Sequence, residues 1–154
     1  MSSAQMQKLV SSIEIKLDGN VFHEIFRERP YHLPKMSPKH VRSIELCDGE
    51  WGKVGSVVRW NFVTPDGKKA VSKDIIEAID VEKKSVTYRV IERDILAAYK
   101  TFAFIIDVDK VGDKNVVTWS IEYEKQDESI PDPHGLIKLC HAITKDIEAY
   151  HLNQ

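Results

Sequence analysis

Cysteine is almost missing from this chain, with Cys47 and Cys140 the only two in 154 residues. Two isolated thiols make neither a disulfide framework nor a zinc pattern, so ordinary reduced cysteines are expected. No apolar run approaches the roughly 18 residues that a membrane-spanning helix needs. The stretch Met1 to Lys8 has neither the basic start nor the apolar core of a signal peptide, so the expectation is a soluble, cytoplasmic protein with no membrane span. An excess of one charge is also missing, since 22 Lys and Arg against 24 Asp and Glu leave a net charge of −2. That balance offers no electrostatic footprint for nucleic acid. The six histidines, His23, His32, His40, His134, His141 and His151, show neither H-x-x-x-H nor H-E-x-x-H spacing, and no Gly-x-Ser-x-Gly elbow accompanies them. Metal, cofactor and nucleophilic-triad chemistry are therefore not expected. What the chain does have is an apolar fraction of 42% and a charged fraction of 30%, both globular values. Its length suits a single domain over residues 1–154 that buries roughly two thirds of its unfolded surface.

Glycine is also scarce, yet three of the seven glycines fall at three-residue spacing in Asp48-Gly49-Glu50-Trp51-Gly52-Lys53-Val54-Gly55-Ser56. The P-loop pattern fails here, because Gly52-Lys53 is followed by Val54 and the first glycine position would be Cys47. The dinucleotide fingerprint fails too, because Gly55 leads into the β-branched and aromatic run Ser56 to Val63 rather than a helix. The segment therefore reads as a shaped hairpin between two strands.

Alternation marks the first strand, with Leu9, Ser11, Ile13, Ile15 and Leu17 on one face. Asp18-Gly19-Asn20 supplies capping chemistry for a short helix that places Phe22, Ile25 and Phe26 together. Pro30, Pro34 and Pro38 break up the link that follows. Strands are then expected at Val41 to Leu46 and Ser56 to Val63, the latter ending at the turn Thr64-Pro65-Asp66-Gly67. Four more follow, carried by Val71, Ile75 and Ile79; by Val86, Tyr88 and Val90; by Phe102, Phe104, Ile106 and Val108; and by Val117, Trp119, Ile121 and Tyr123. Their short polar links imply an antiparallel meander. Finally, Asp132 offers an N-cap before Pro133, and Leu136, Leu139, Cys140, Ile143, Ile147 and Tyr150 recur at helical spacing. Lys138, Lys145, Asp146 and Glu148 are assigned to solvent. The fold class is α+β, with one long helix against a sheet face.

Several strings in this order resemble the major latex protein family, a plant branch of the birch-pollen-allergen and class-10 pathogenesis-related superfamily. They are Gly-Glu-Trp-Gly-Lys-Val-Gly-Ser from Gly49, Ile76-Glu77-Ala78-Ile79-Asp80, Tyr88-Arg89-Val90-Ile91-Glu92, Trp119 to Lys125, and Lys145-Asp146-Ile147-Glu148-Ala149. The resemblance implies a helix-grip fold: a curved seven-stranded antiparallel sheet around the C-terminal helix, two short helices between strands one and two, and an internal hydrophobic cavity. It places the glycine loop, with Gly49, Trp51, Gly52 and Gly55, near the cavity rim.

Apolar stripes alone read as solid core; the resemblance turns them into cavity lining. The candidates are Phe22 and Phe26 from the short helix, Trp60, Phe62, Val71, Ile75, Tyr88, Val90, Phe102, Phe104, Trp119, Ile121 and Tyr123 from strands, and Leu136, Leu139, Cys140 and Ile143 from the long helix. Lys73 and Lys100 share strand faces with Val71 and Phe102, and one of them is a candidate contact for an acidic head group. The leading function is an intracellular carrier of lipids, sterols or phenolic metabolites, working as a monomer or weak dimer without a cofactor, with the family implying a defence or stress setting. One alternative is a condensing enzyme built on Lys100, Tyr88 and Glu77. Another is ribonuclease or RNA-binding activity at the glycine loop.

Overall fold

The structure is a computed structural model and describes residues 5–153. The first strand, β1 (Gln7–Ile15), leads into α1 (Gly19–Glu28), a 3-10 turn (Pro30–His32) and the one-turn helix α2 (Leu33–Met36). The strands β2 (Val41–Asp48), β3 (Val57–Val63), β4 (Lys69–Asp80) and β5 (Ser85–Arg93) follow. A second 3-10 turn (Asp94–Ala97) joins β5 to β6 (Tyr99–Val111), and β7 (Lys114–Lys125) precedes the long helix α3 (His134–Leu152). All seven strands form one antiparallel sheet in the order β1-β7-β6-β5-β4-β3-β2. The sheet curves, and α3 lies against it, so the expected helix-grip architecture is the one observed.

Local chemistry explains the elements. The Asp18 carboxylate accepts from the Asn20 backbone N–H at 2.7 Å and so caps α1, satisfying a donor that the first helical turn leaves free. From α1, Phe22, Ile25 and Phe26 bury completely or nearly so, as their spacing requires. Pro30 and Pro34 both sit at helix starts, where a missing N–H costs nothing.

Bulges set the phase of the strands, and three of them alter the expected picture. In β4, Ile76 pairs with Tyr88 while Ala78 pairs with Thr87, leaving Glu77 as an extra residue. An extra residue inverts the facing of everything beyond it. Before the bulge, Ser72, Asp74 and Ile76 are buried and point inward, whereas Val71, Lys73 and Ile75 face outward, opposite residues that include Arg59 and Arg89. Only beyond it does Ile79 pack on the core, paired with Val86. The expectation that Val71, Lys73 and Ile75 share the inner face with Ile79 is therefore corrected. A second bulge, between Tyr99 and Thr101, makes Lys100 the extra residue of β6 and leaves it exposed beside buried Tyr99 and Phe102. The third leaves Ile91 unmatched in β5, since Lys73 pairs with Glu92 and Asp74 with Val90.

The long helix also departs from expectation at its polar positions. Asp132 does not cap α3: Pro133 holds that place, and the Asp132 carboxylate accepts from the Tyr123 hydroxyl at 2.6 Å and from Lys125 at 3.0 Å. Of the two acidic positions assigned to solvent, Asp146 stays partly exposed yet is engaged by a distant segment, and Glu148 is largely covered. Asp146 accepts from the buried Ser37 hydroxyl at 2.6 Å and from His40 Nδ1 at 3.0 Å, while Glu148, its side chain 12% exposed, accepts from the Lys16 N–H. These bonds tie α3 to the segments flanking β1 and β2 along its otherwise polar side. Lys138 and Lys145 are exposed as expected.

Candidate functional site: a cavity between the sheet and the long helix

Curvature holds the sheet away from α3, and the gap is not filled. About 60 Å³ is open to the centre of a water-sized sphere, in a hollow that is partly open to solvent. One water needs roughly 10–15 Å³ on that measure, so the space exceeds a packing defect. Phe26 of α1 and Trp119 of β7 meet edge to face at 5.3 Å on its wall. Trp60 and Phe62 of β3, Tyr88 of β5, and Phe104 and Ile106 of β6 continue the wall, and Leu136, Leu139, Cys140 and Ile143 of α3 close it. Val41 and Ile95 contribute from the start of β2 and from the turn after β5.

The remaining candidates fall outside this lining. Phe22 packs against Phe26, ring centroids 5.2 Å apart and tilted at 43°. Phe102 and Tyr123 pack with Tyr99 into an aromatic cluster, with ring centroids 5.1 to 6.4 Å apart. Val90 and Ile121 are buried in the core without reaching the cavity wall. Lys73 is paired with Glu92 at 3.1 Å on the outer face, and Lys100 is exposed, so neither lines the cavity. Glu77 binds Arg89 on the outer face, which separates it from Tyr88 inside. The trio Lys100, Tyr88 and Glu77 is thus not assembled.

Ser72 and Asp74, which the sequence reading missed, are the polar residues of the inner wall of β4. A usable signal existed in the turn Thr64–Gly67, where Thr64 N–H donates to the Lys68 carbonyl at 2.8 Å. That tight hairpin fixes Val63 opposite Lys69 and hence Trp60 opposite Ser72, so the inward parity of β3 carries over to Ser72 and Asp74. Val41, Ile95 and Ile106 were likewise absent from the expected lining, although Ile106 belongs to the apolar stripe of its strand.

Asp74 is 3% exposed and accepts from the Ser72 hydroxyl. Burial penalises the carboxylate and pushes its pKa up to about 7, with the Ser72 hydrogen bond offsetting part of the rise. No lysine or arginine is on the wall to compensate it. The Tyr88 hydroxyl, held well above its ordinary pKa by burial and by Asp74, donates to the Phe26 carbonyl. Trp119 Nε1 donates to Thr144 Oγ1 at 2.8 Å. Trp60 Nε1, in contrast, is buried with no hydrogen-bond partner. Burial alone raises the Cys140 thiol pKa. Elsewhere, His23 is buried and donates to the Ser85 carbonyl at 3.2 Å, with its pKa lowered mainly by burial. Among the described residues, no three His, Cys, Asp or Glu side chains converge as a metal would need, and no helix is long and apolar enough to cross a membrane.

The glycine loop is a hairpin whose polar groups are taken up within the loop and by the neighbouring strand β4. Gly49, Gly52 and Gly55 take φ of +87°, +83° and +92°, a region that penalises other residues. Ser56 Oγ accepts from Glu50 N–H at 2.9 Å and donates to the Glu50 carbonyl at 2.7 Å, while Gly55 N–H donates to the Ile76 carbonyl at 2.8 Å. Lys53 is engaged by Glu50, and Trp51 packs on Tyr31 at 4.8 Å. None of these residues lines the cavity.

Comparison with known proteins agrees with this geometry. MLP-like protein 31 of Arabidopsis thaliana is 42% identical over 99% of this chain and 90% of its own. A crystal structure of ginseng major latex-like protein 151 from Panax ginseng superposes with a TM-score of 0.93 at 46% identity, covering 96% of this chain and 98% of that one. Norcoclaurine synthase from Thalictrum flavum, solved with dopamine and hydroxybenzaldehyde, has a TM-score of 0.81 at 22% identity over 99% of this chain and 90% of its own, a likeness of fold alone. Residues 4–154 match the Pathogenesis-related protein Bet v 1 family, and with relatives this similar along nearly its whole length the chain belongs to that family, on its major latex protein branch.

Proposed function

We propose that this protein is a cytoplasmic carrier that holds one small hydrophobic or amphipathic molecule, such as a lipid, sterol or phenolic metabolite, between its sheet and α3. The observation that carries the reading is the unfilled space lined by Trp60, Phe104, Trp119, Leu139 and Ile143. A side-chain wall of this kind supplies affinity through burial, at about 25 cal/mol per Å² of apolar surface removed from water. A ligand burying roughly 300 Å² gains on the order of 7 kcal/mol before the cost of immobilisation is subtracted. Nothing on the wall is placed for a covalent step: the thiol of Cys140 is protonated in its apolar setting, and the carboxyl of Asp74 has no base or nucleophile bonded to it other than the Ser72 hydroxyl. Separation of Lys100 and Glu77 from Tyr88 weighs against the condensing-enzyme alternative. A glycine loop whose polar groups are already engaged and a net charge of −2 weigh against RNA.

We further propose a monomer or weak dimer acting in a defence or stress setting, as the family suggests. Native mass spectrometry of the freshly purified protein, followed by solvent extraction, tests the carrier reading. A stoichiometric, extractable small molecule is the expected result. A protein that is empty and also ignores a panel of lipids, sterols and phenolics contradicts it.

A further inference from the structure

The cavity has a set width, because α3 is fastened to the rest of the fold along its whole length. Just ahead of the helix, the Tyr99 hydroxyl donates to the Pro131 carbonyl and the Tyr123 hydroxyl to Asp132, each at 2.6 Å. Midway along it, Trp119 Nε1 donates to Thr144 Oγ1 at 2.8 Å. Towards its end, Asp146 holds Ser37 and His40, and Glu148 holds the Lys16 N–H. The opposite wall is equally constrained. Phe26 against Trp119 and Trp60 against Tyr88 meet edge to face, with ring centroids 5.3 and 5.6 Å apart, and the Tyr88 hydroxyl donates to the Phe26 carbonyl. Widening the space therefore means parting buried hydrogen-bond partners and leaving them unsatisfied.

The inner surface, in turn, offers an enclosed molecule nothing to hydrogen-bond. Ser72 and Asp74 are only 2% and 3% exposed and bond to each other, Tyr88 and Trp119 have their donors committed to Phe26 and Thr144, and Trp60 Nε1 is buried. Size follows from the open volume. Treated as a sphere, the roughly 60 Å³ open to a water-sized centre becomes about 240 Å³ once the 1.4 Å probe radius is restored. Benzene occupies an apolar cavity of about 150 Å³, so on that scale the space takes about ten carbons.

Resting on the carrier reading above, we infer that the cavity encloses an uncharged hydrocarbon body of about ten carbons, such as a two-ring aromatic or a terpene of that size, and leaves any polar group of the ligand in water at the opening. An enclosed hydroxyl, amine or carboxylate loses its water without gaining a partner. A sterol or a long acyl chain exceeds the enclosed volume, so the part that remains outside adds no affinity.

The test is isothermal calorimetry of the full chain with 1-hexanol, 1-octanol, 1-decanol and 1-dodecanol, the protein being titrated into dilute alkanol. Each enclosed methylene is expected to tighten binding about fourfold, so affinity rises about 16-fold per step up to decanol and less than about threefold from decanol to dodecanol. The compound 1,10-decanediol, which has to enclose one hydroxyl, is expected to bind at least about tenfold more weakly than 1-decanol. Ile106→Ala clears part of the wall without touching a side-chain hydrogen bond, and is expected to raise the last step to at least about eightfold. Leu139→Ala, on the facing helix, gives the same result if the first variant is not folded by circular dichroism. A full 16-fold rise from decanol to dodecanol in the unaltered protein, or decanediol binding as tightly as decanol, overturns the inference while leaving the carrier reading standing. So does a folded wall variant whose affinity still levels off at decanol. Failure of every alkanol to bind overturns both.

Discussion

Replacing Asp74 with asparagine changes the pH dependence of stability by an amount that the structure sets. The carboxyl rises from its ordinary 3.8 to about 7 in the fold, because burial disfavours the ion. A native acid that holds its proton more tightly than the unfolded chain does makes the fold bind the extra proton, so stability falls as pH rises. Its contribution is fully present below about pH 4, is lost progressively up to about pH 7, and is constant above that. At 1.36 kcal/mol per pH unit, the loss is about 4 kcal/mol. Asparagine keeps the shape and an acceptor for Ser72 but does not titrate, so any fixed cost of the substitution is the same at every pH. Urea unfolding of both proteins between about pH 4.5 and 8 therefore shows the variant gaining on the parent across that window, by about 3 to 4 kcal/mol. Parallel stability curves would refute the argument, since they would mean that Asp74 is ionised and compensated in the native cavity.

Other consequences concern the loop, the helix and the thiols. Gly49→Ala is expected to lose about 1–3 kcal/mol in urea unfolding, because the backbone sits at φ +87° and a Cβ would lie 2.4 Å from Ser56 Oγ; an unchanged midpoint counts against the loop geometry. Trp119→Phe removes the 2.8 Å bond to Thr144 but leaves the Thr144 donation to the Cys140 carbonyl, so the same measurement is expected to register about 1–2 kcal/mol. Ellman's reagent should titrate exposed Cys47 quickly and buried Cys140 only as fast as the cavity opens, with decanol slowing the second phase further. Two equal fast phases would place Cys140 outside the wall.

The parts of the fold that were legible in the sequence are those where a strand keeps one phase from end to end. β7 is the clearest case: Val117, Trp119, Ile121 and Tyr123 all bury on one face, and the pattern needs no knowledge of its neighbours. β4 misleads because two effects coincide. Its outward positions Val71 and Ile75 are apolar, and the Glu77 bulge brings Ile79 inward, so residues four apart look like one stripe while the polar inner wall of Ser72 and Asp74 passes for surface. Lys100 misleads in the same way, since a bulge lifts it off the face that Phe102 occupies. Helix α3 shows a different limit. Its apolar spacing located Leu139, Ile143 and Ile147 in the core, but no local pattern reveals that Asp146 meets Ser37 and His40 from a distant segment. Cavity lining itself is not a local property, because Phe102 and Phe104 are alike in sequence and only Phe104 reaches the open space.

The three tryptophans give the most direct test of a ligand held between sheet and helix. Trp60 and Trp119 line the cavity, whereas Trp51, in the glycine loop, packs against Tyr31 of the first 3-10 turn. In a ¹⁵N-labelled protein each indole N–H gives its own resonance, and titration with 1-decanol is predicted to shift those of Trp60 and Trp119 to saturation at one equivalent while leaving Trp51 in place. Shifts confined to Trp51, or no shift in any of the three, would contradict the account.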